Sequence, residues 1–102
     1  MIHMLSFQDN LILMLLVNKE MYGYQVMKGL ADITSGIYEP KSGTIYPALK
    51  RLEKRGFIKS EMRDVEGNRL KYYSITEKGK KRLERLWTIV SRIEDFKSKI
   101  IR

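Results

Sequence analysis

Hydrophobic residues recur every three or four positions in four stretches of this chain and alternate with polar residues in two shorter ones, a pattern that predicts four helices and a hairpin. The first helix starts after a Ser6 cap and runs through Phe7, Leu11, Ile12, Leu15 and Leu16 to about Asn18. Its apolar residues reach nearly every face, so it is expected to be buried on more than one side, against its own domain and against a partner chain. A second helix opens at Tyr22-Gly23-Tyr24, turns Val26, Met27, Leu30 and Ile33 inward, and ends near Ser35-Gly36. Gly29 within it is unfavourable to a helix and suggests a close helix crossing.

The third helix follows a turn over residues 34–42 and is the most informative. Ser42 or Thr44 can cap it, Gly56 can end it, and Ile45, Ala48, Leu49 and Leu52 share one face. The opposite face carries Gly43, Tyr46, Pro47, Lys50 and Lys54, with Arg51 and Arg55 on the flank. With Thr44 as cap, Pro47 would fall in the first turn and lose no hydrogen bond; with Ser42 as cap, strain is expected there. Beyond Gly56 the period changes. Phe57, Ile58, Ser60 and Met62 interleave with Lys59, Glu61 and Arg63, and Leu70 to Ile75 forms a second run. Between them Glu66-Gly67-Asn68 reads as a tight turn whose tip bears Arg63, Arg69 and Lys71.

Thr76-Glu77 starts a last helix, an oxygen-bearing cap followed by an acid at the positive end of the dipole. Extended to Ile101 it would have about 25 residues and span roughly 38 Å. Leu83, Leu86, Trp87, Val90, Ile93 and Ile100 line one side, widened by Phe96 and Ile101 and interrupted by Lys97. So small a domain cannot cover so long a stripe, which predicts a homodimer paired through this helix and the first, with Leu11 and Leu15 added to the interface. The expected fold is α+β and mostly α: a winged helix-turn-helix with a two-stranded wing over residues 1–75, and a dimerisation helix over 76–102.

Charge sharpens the picture. The net charge is +8 over 102 residues, and it is not spread evenly. Residues 1–40 hold two lysines against four acids, residues 41–82 hold thirteen bases against five acids, and residues 83–102 hold five against three. The middle block alone therefore has a net +8, the footprint of a surface for a polyanion. Lys41, Ser42, Gly43, Thr44, Tyr46, Pro47, Lys50, Arg51 and Lys54 are the candidates on the basic helix, Arg69 and Lys71 those on the wing. Tyr46 has a plainer alternative, packing its ring beside the hairpin.

Other chemistries find little support. There are no cysteines, so no disulfide framework or thiolate metal site, in keeping with a cytoplasmic protein. His3 is the single histidine, no clustered ligands suggest a metal, and no serine has a recognisable base partner. Glu94 and Asp95 adjoin but point to different helix faces. No enzyme and no cofactor is expected. The apolar run from Leu11 to Val17 is too short to span a bilayer and lacks the marks of a signal peptide.

Several motifs in order carry a resemblance: Met21-Tyr-Gly-Tyr24, Ser42-Gly-Thr-Ile-Tyr-Pro-Ala-Leu-Lys-Arg-Leu52, Gly56-Phe-Ile58 and Lys71-Tyr-Tyr-Ser-Ile-Thr-Glu-Lys-Gly79. Together they resemble the PadR family of bacterial and archaeal transcriptional regulators over nearly the whole chain. The resemblance implies a winged-helix dimer that binds a palindromic operator in double-stranded DNA, usually as a repressor, and a short subgroup with one C-terminal helix. It implies DNA contacts from Ser42, Gly43, Thr44, Tyr46, Pro47 and Lys50. Gln25 and Gly29 depart from it, standing where members commonly carry charged residues. In some short members a tryptophan on the last helix stacks flat aromatic drugs, which would make Trp87, with Met14 beside it, the site of a small aromatic or cationic inducer. Ordinary dimer core is the plainer role for Trp87. A winged-helix adaptor for protein or structured RNA is the rival reading, because fold alone does not fix function.

Overall fold

Ser6 caps the first helix: its Oγ accepts from the Asp9 amide at 3.1 Å, and α1 runs Phe7–Asn18. The computed structural model describes residues 5–100, so His3 and Ile101 lie outside the described residues. A two-residue strand β1 (Met21–Tyr22) leads into α2 (Gly23–Ile33), then α3 (Ser42–Lys54), β2 (Ile58–Val65), β3 (Asn68–Ile75) and α4 (Glu77–Ile100). The four helices and the hairpin match the periodicity, and the fold is the expected winged-helix type.

The sheet has one strand more than expected. β1 pairs with β3 through Met21↔Tyr73 and Tyr22↔Tyr72, giving the order β1-β3-β2. Two residues cannot display an alternation, and the pairing is made across fifty positions of sequence, so no local pattern marks it. The hairpin register runs from Ile58↔Ile75 to Val65↔Asn68. Its turn is Glu66-Gly67, with φ of 50° and 82°, the double left-handed geometry that matches strand twist in a two-residue loop. Asn68 is therefore not a turn residue but the first residue of β3.

The core lies where α1, α2, α3 and the sheet meet. Ile12, Leu13, Val26, Leu30, Ile45, Ala48 and Leu49 are fully buried in it. α1 buries Leu11, Ile12, Leu13 and Leu16, which span several faces, as its unbroken apolar sequence requires. The expected crossing at Gly29 is present: a Cβ there would lie 3.0 Å from Leu15 Cδ1. Gly79 seats α4 even more tightly, since a Cβ would stand 2.3 Å from the Phe57 carbonyl oxygen. Thr76 locks the joint by donating to the Gly56 carbonyl at 2.6 Å and accepting from the Gly79 amide at 3.2 Å.

α4 then leaves the body. Leu83 is buried and Leu86 half-buried, but every residue from Trp87 to Ile100 is exposed. Two of the residues expected at a subunit interface, Leu11 and Leu83, are only 8% and 4% exposed and belong to the chain's own core. Periodicity gathers both into one stripe with Trp87, Val90, Ile93 and Ile100, because it cannot tell which stretch of an apolar face its own domain will cover.

Candidate nucleic-acid interface

α3 exposes one complete side. Lys41, Ser42, Gly43, Thr44, Tyr46, Pro47, Lys50, Arg51 and Lys54 are all exposed, while Ile45, Ala48, Leu49 and Leu52 beneath them are buried. The cap differs from both expected ones. Lys41 is the N-cap, in extended conformation and with no side-chain hydrogen bond, so the backbone alone starts the helix. The Ile45 amide donates to the Lys41 carbonyl at 3.1 Å, and Ser42 and Thr44 sit in the first turn instead of before it. Pro47 thus lies beyond the first turn, where the Gly43 carbonyl has no donor four residues on. A Cβ on Gly43 would meet nothing within 4 Å. Nothing inside the protein demands glycine there, and the backbone lies open to an approaching ligand.

Tyr46 takes a position that periodicity does not reveal. Its ring is pressed onto Gly23 at the start of α2, where a Cβ would lie 2.4 Å from the ring. Half of the side chain remains exposed. Tyr46 therefore packs across the β1–α2 joint and presents its outer edge. Nearby, burial first, and then Glu53 and Tyr46, push the Tyr73 phenol above its ordinary pKa and keep it neutral.

Acids govern the neighbouring cations. Arg51 Nη2 stands 3.8 Å from Oδ1 of the buried Asp9 on α1, an oxygen with no hydrogen bond. So long a pair with an exposed guanidinium is worth at most about 1 kcal/mol, which leaves Arg51 free to turn outward. Glu53, on the last turn of α3, accepts from Ser60 and faces Lys71 Nζ at 3.6 Å, tying the wing to the helix. Lys71 also lies 5.7 Å from the Tyr73 ring. Arg69 is exposed near the turn, with Asp64 as its register partner.

Arg63, one of the three cations placed at the wing tip, is held by acids. It lies over the Tyr72 ring at 4.6 Å and pairs with Glu61 and Glu20. Hydrogen bonds to Glu61 and then to Glu20 raise its pKa further, so it is a fixed structural charge. Glu20 lies far from Arg63 in sequence, and only the added strand β1 brings it there. Among the described residues no cluster of acids or histidine suits a metal ion, and no helix is long and apolar enough to cross a membrane.

Residues 12–85 match the model of the transcriptional regulator PadR-like family. The chain belongs to that family. A PadR family transcription regulator from Clostridium difficile superposes with a TM-score of 0.78 at 32% identity, covering 95% of this chain and 100% of that one. Bacillus subtilis PadR in complex with operator DNA superposes at 0.72 with 28% identity, over 80% of this chain and 47% of the other. The transcriptional regulator YqjI of Escherichia coli is 34% identical over 84 residues, 82% of this chain and 39% of YqjI. This PadR-like chain thus spans well under half of YqjI. The function class is transcriptional regulation, not catalysis.

Proposed function

We propose that this PadR-like protein binds operator DNA as a homodimer, with α3 in the major groove and the β2–β3 wing against the backbone, and represses transcription there. The observation that carries the reading is α3 itself: its apolar stripe is fully used by the core, and its opposite side is exposed, basic and open at Gly43. Such a side offers backbone amides, hydroxyls and cations to a phosphate-lined groove. The Bacillus subtilis relative, seen with its operator, supports the same use of the shared fold.

The roles divide by chemistry. Ser42, Gly43 and Thr44 meet phosphate at the helix start, Lys50 reaches a base edge or phosphate, and Lys41, Arg51 and Lys54 flank the groove. Pro47 and the outer edge of Tyr46 add apolar contact. Arg69 and Lys71 serve the wing. For dimerisation, Trp87, Val90, Ile93 and Ile100, with Leu15 and Leu86 at the margin, form the exposed or half-exposed apolar surface that a second α4 and α1 would cover. Two-fold symmetry then sets two copies of α3 on half-sites about one helical turn, ~34 Å, apart.

The decisive experiment titrates a selected palindrome and a scrambled duplex with Lys50→Ala and Lys99→Ala variants at several salt concentrations. Lys50→Ala is expected to weaken palindrome binding by about tenfold and Lys99→Ala hardly at all. Equal losses would undo the assignment of α3, and equal affinity for every duplex, or a preference for RNA, would favour the adaptor reading. An inducer site is a further part of the proposal. Trp87 is 49% exposed, and Met14 and Leu86 are partly buried at the edge of the core, apolar groups that suit a flat aromatic or cationic compound stacked within the dimer. Planar dyes should then quench Trp87 fluorescence and release the operator; no quenching, with saturable DNA binding intact, removes the inducer site.

A further inference from the structure

The first turns of α4 run against the electrostatics of an isolated helix. Lys78, Lys81, Arg82 and Arg85 are spaced i, i+3, i+4 and i+7, so four cations stand on one face and repel one another. Lys78 also sits in the first turn, at the positive end of the helix dipole, where acids are favoured. The acids within reach are Glu77 and Glu84, four and three residues from Lys81, and Glu77 pairs instead with Lys80 at 3.4 Å. One of the four has a structural reason: Lys78 Nζ donates to the Arg55 carbonyl at 2.6 Å and lies over the Phe57 ring, so it caps the end of α3. Lys81, Arg82 and Arg85 form no ion pair among the described residues.

These side chains and Phe57 line a cleft of about 400 Å³ with no acid in its walls. Lys78 joins the cleft to the end of α3, where Arg55 lies over the same Phe57 ring, so a positive belt extends from Lys54 and Arg55 to Arg85. A cleft walled by four like charges, with no acid among its lining residues, points to a ligand that supplies the missing negative charge. We propose that the basic face of α4 is a second, sequence-independent DNA contact, taking backbone phosphates of the same duplex that α3 reads. The inference rests on the proposed function and adds a site to it. DNA is the occupant favoured by the continuity of the belt, because a duplex lying on α3 already brings its phosphates to the belt's other end.

The test measures affinity against salt for the full chain and for a variant carrying Lys81→Ala with Arg85→Ala. Losing two phosphate contacts should lower the slope of log K against log salt by about two and weaken operator and scrambled duplex by the same factor. Lys99→Ala, on the same helix outside the belt, should leave the slope unchanged. The thermal midpoint of the free variant should hold or rise, since repulsion has been removed. An unchanged slope, a loss confined to the operator, or a lower midpoint would overturn the inference. If Lys50→Ala weakens operator binding while the α4 variant keeps its slope, this inference alone fails; if Lys50→Ala has no effect, the proposed function fails first.

Discussion

α3 and α4 are both amphipathic, but only α3 has its apolar face covered within the chain. Ile45, Ala48, Leu49 and Leu52 are at most 1% exposed, whereas on α4 only Gly79 and Leu83 are buried and Ile93, Phe96 and Ile100 are 52%, 64% and 63% exposed. The same kind of sequence pattern thus has two outcomes. Where the stripe faces the core, the opposite side is left for a ligand; where the stripe outruns the core, the apolar side is itself left for a partner. On the function proposed above, this difference makes the two roles separable, DNA reading on α3 and assembly on α4.

The strongest way to break that comparison is to charge the uncovered stripe. Ile93→Glu should leave the winged-helix body folded, halve the mass seen by light scattering at micromolar concentration, and weaken palindrome binding about a hundredfold or more, because each half-site then binds alone. A wild-type protein already monomeric, or a variant still dimeric, would show that α4 is not the interface. Next in size is the buried end of α4. Gly79→Ala drives a methyl into the Phe57 carbonyl, so the chain should lose about 1–3 kcal/mol in denaturant unfolding; an unaltered midpoint would mean that the α4 joint is loosely packed.

The smallest effect on stability belongs to Gly43→Ala. Its methyl would enter open space, so stability should hold or rise by up to ~1 kcal/mol, while operator affinity falls as backbone and phosphate are held apart. Destabilisation by this variant would contradict the open geometry, and undiminished DNA binding would remove Gly43 from the interface. Taken with Gly79, it separates a glycine kept for packing from one kept for an external contact.

Which of these features could be read without coordinates depended on whether their causes are local. The stripe of α3, the Ser6 cap and the switch of period after Gly56 follow from residues a few positions apart, so the helices, the hairpin and the outward face from Lys41 to Lys54 were legible. The Lys41 cap was not, because two hydroxyl residues nearby competed for the role and the backbone chose neither. The pairing of Arg63 with Glu20 was not legible either, because Glu20 precedes β1, which joins the sheet only by a long-range pairing.

By itself, then, the amino-acid sequence determined the elements, the family and the cationic block, since each rests on periodicity, motif order or composition. Tertiary structure alone decided that Tyr46 leans on Gly23, that Leu11 and Leu83 fill their own core, and that Lys78 of α4 reaches the end of α3. Those outcomes depend on which surfaces meet after the chain has folded back across many residues. Packing is a property of the neighbours in space, and a helical repeat records only which residues share a face.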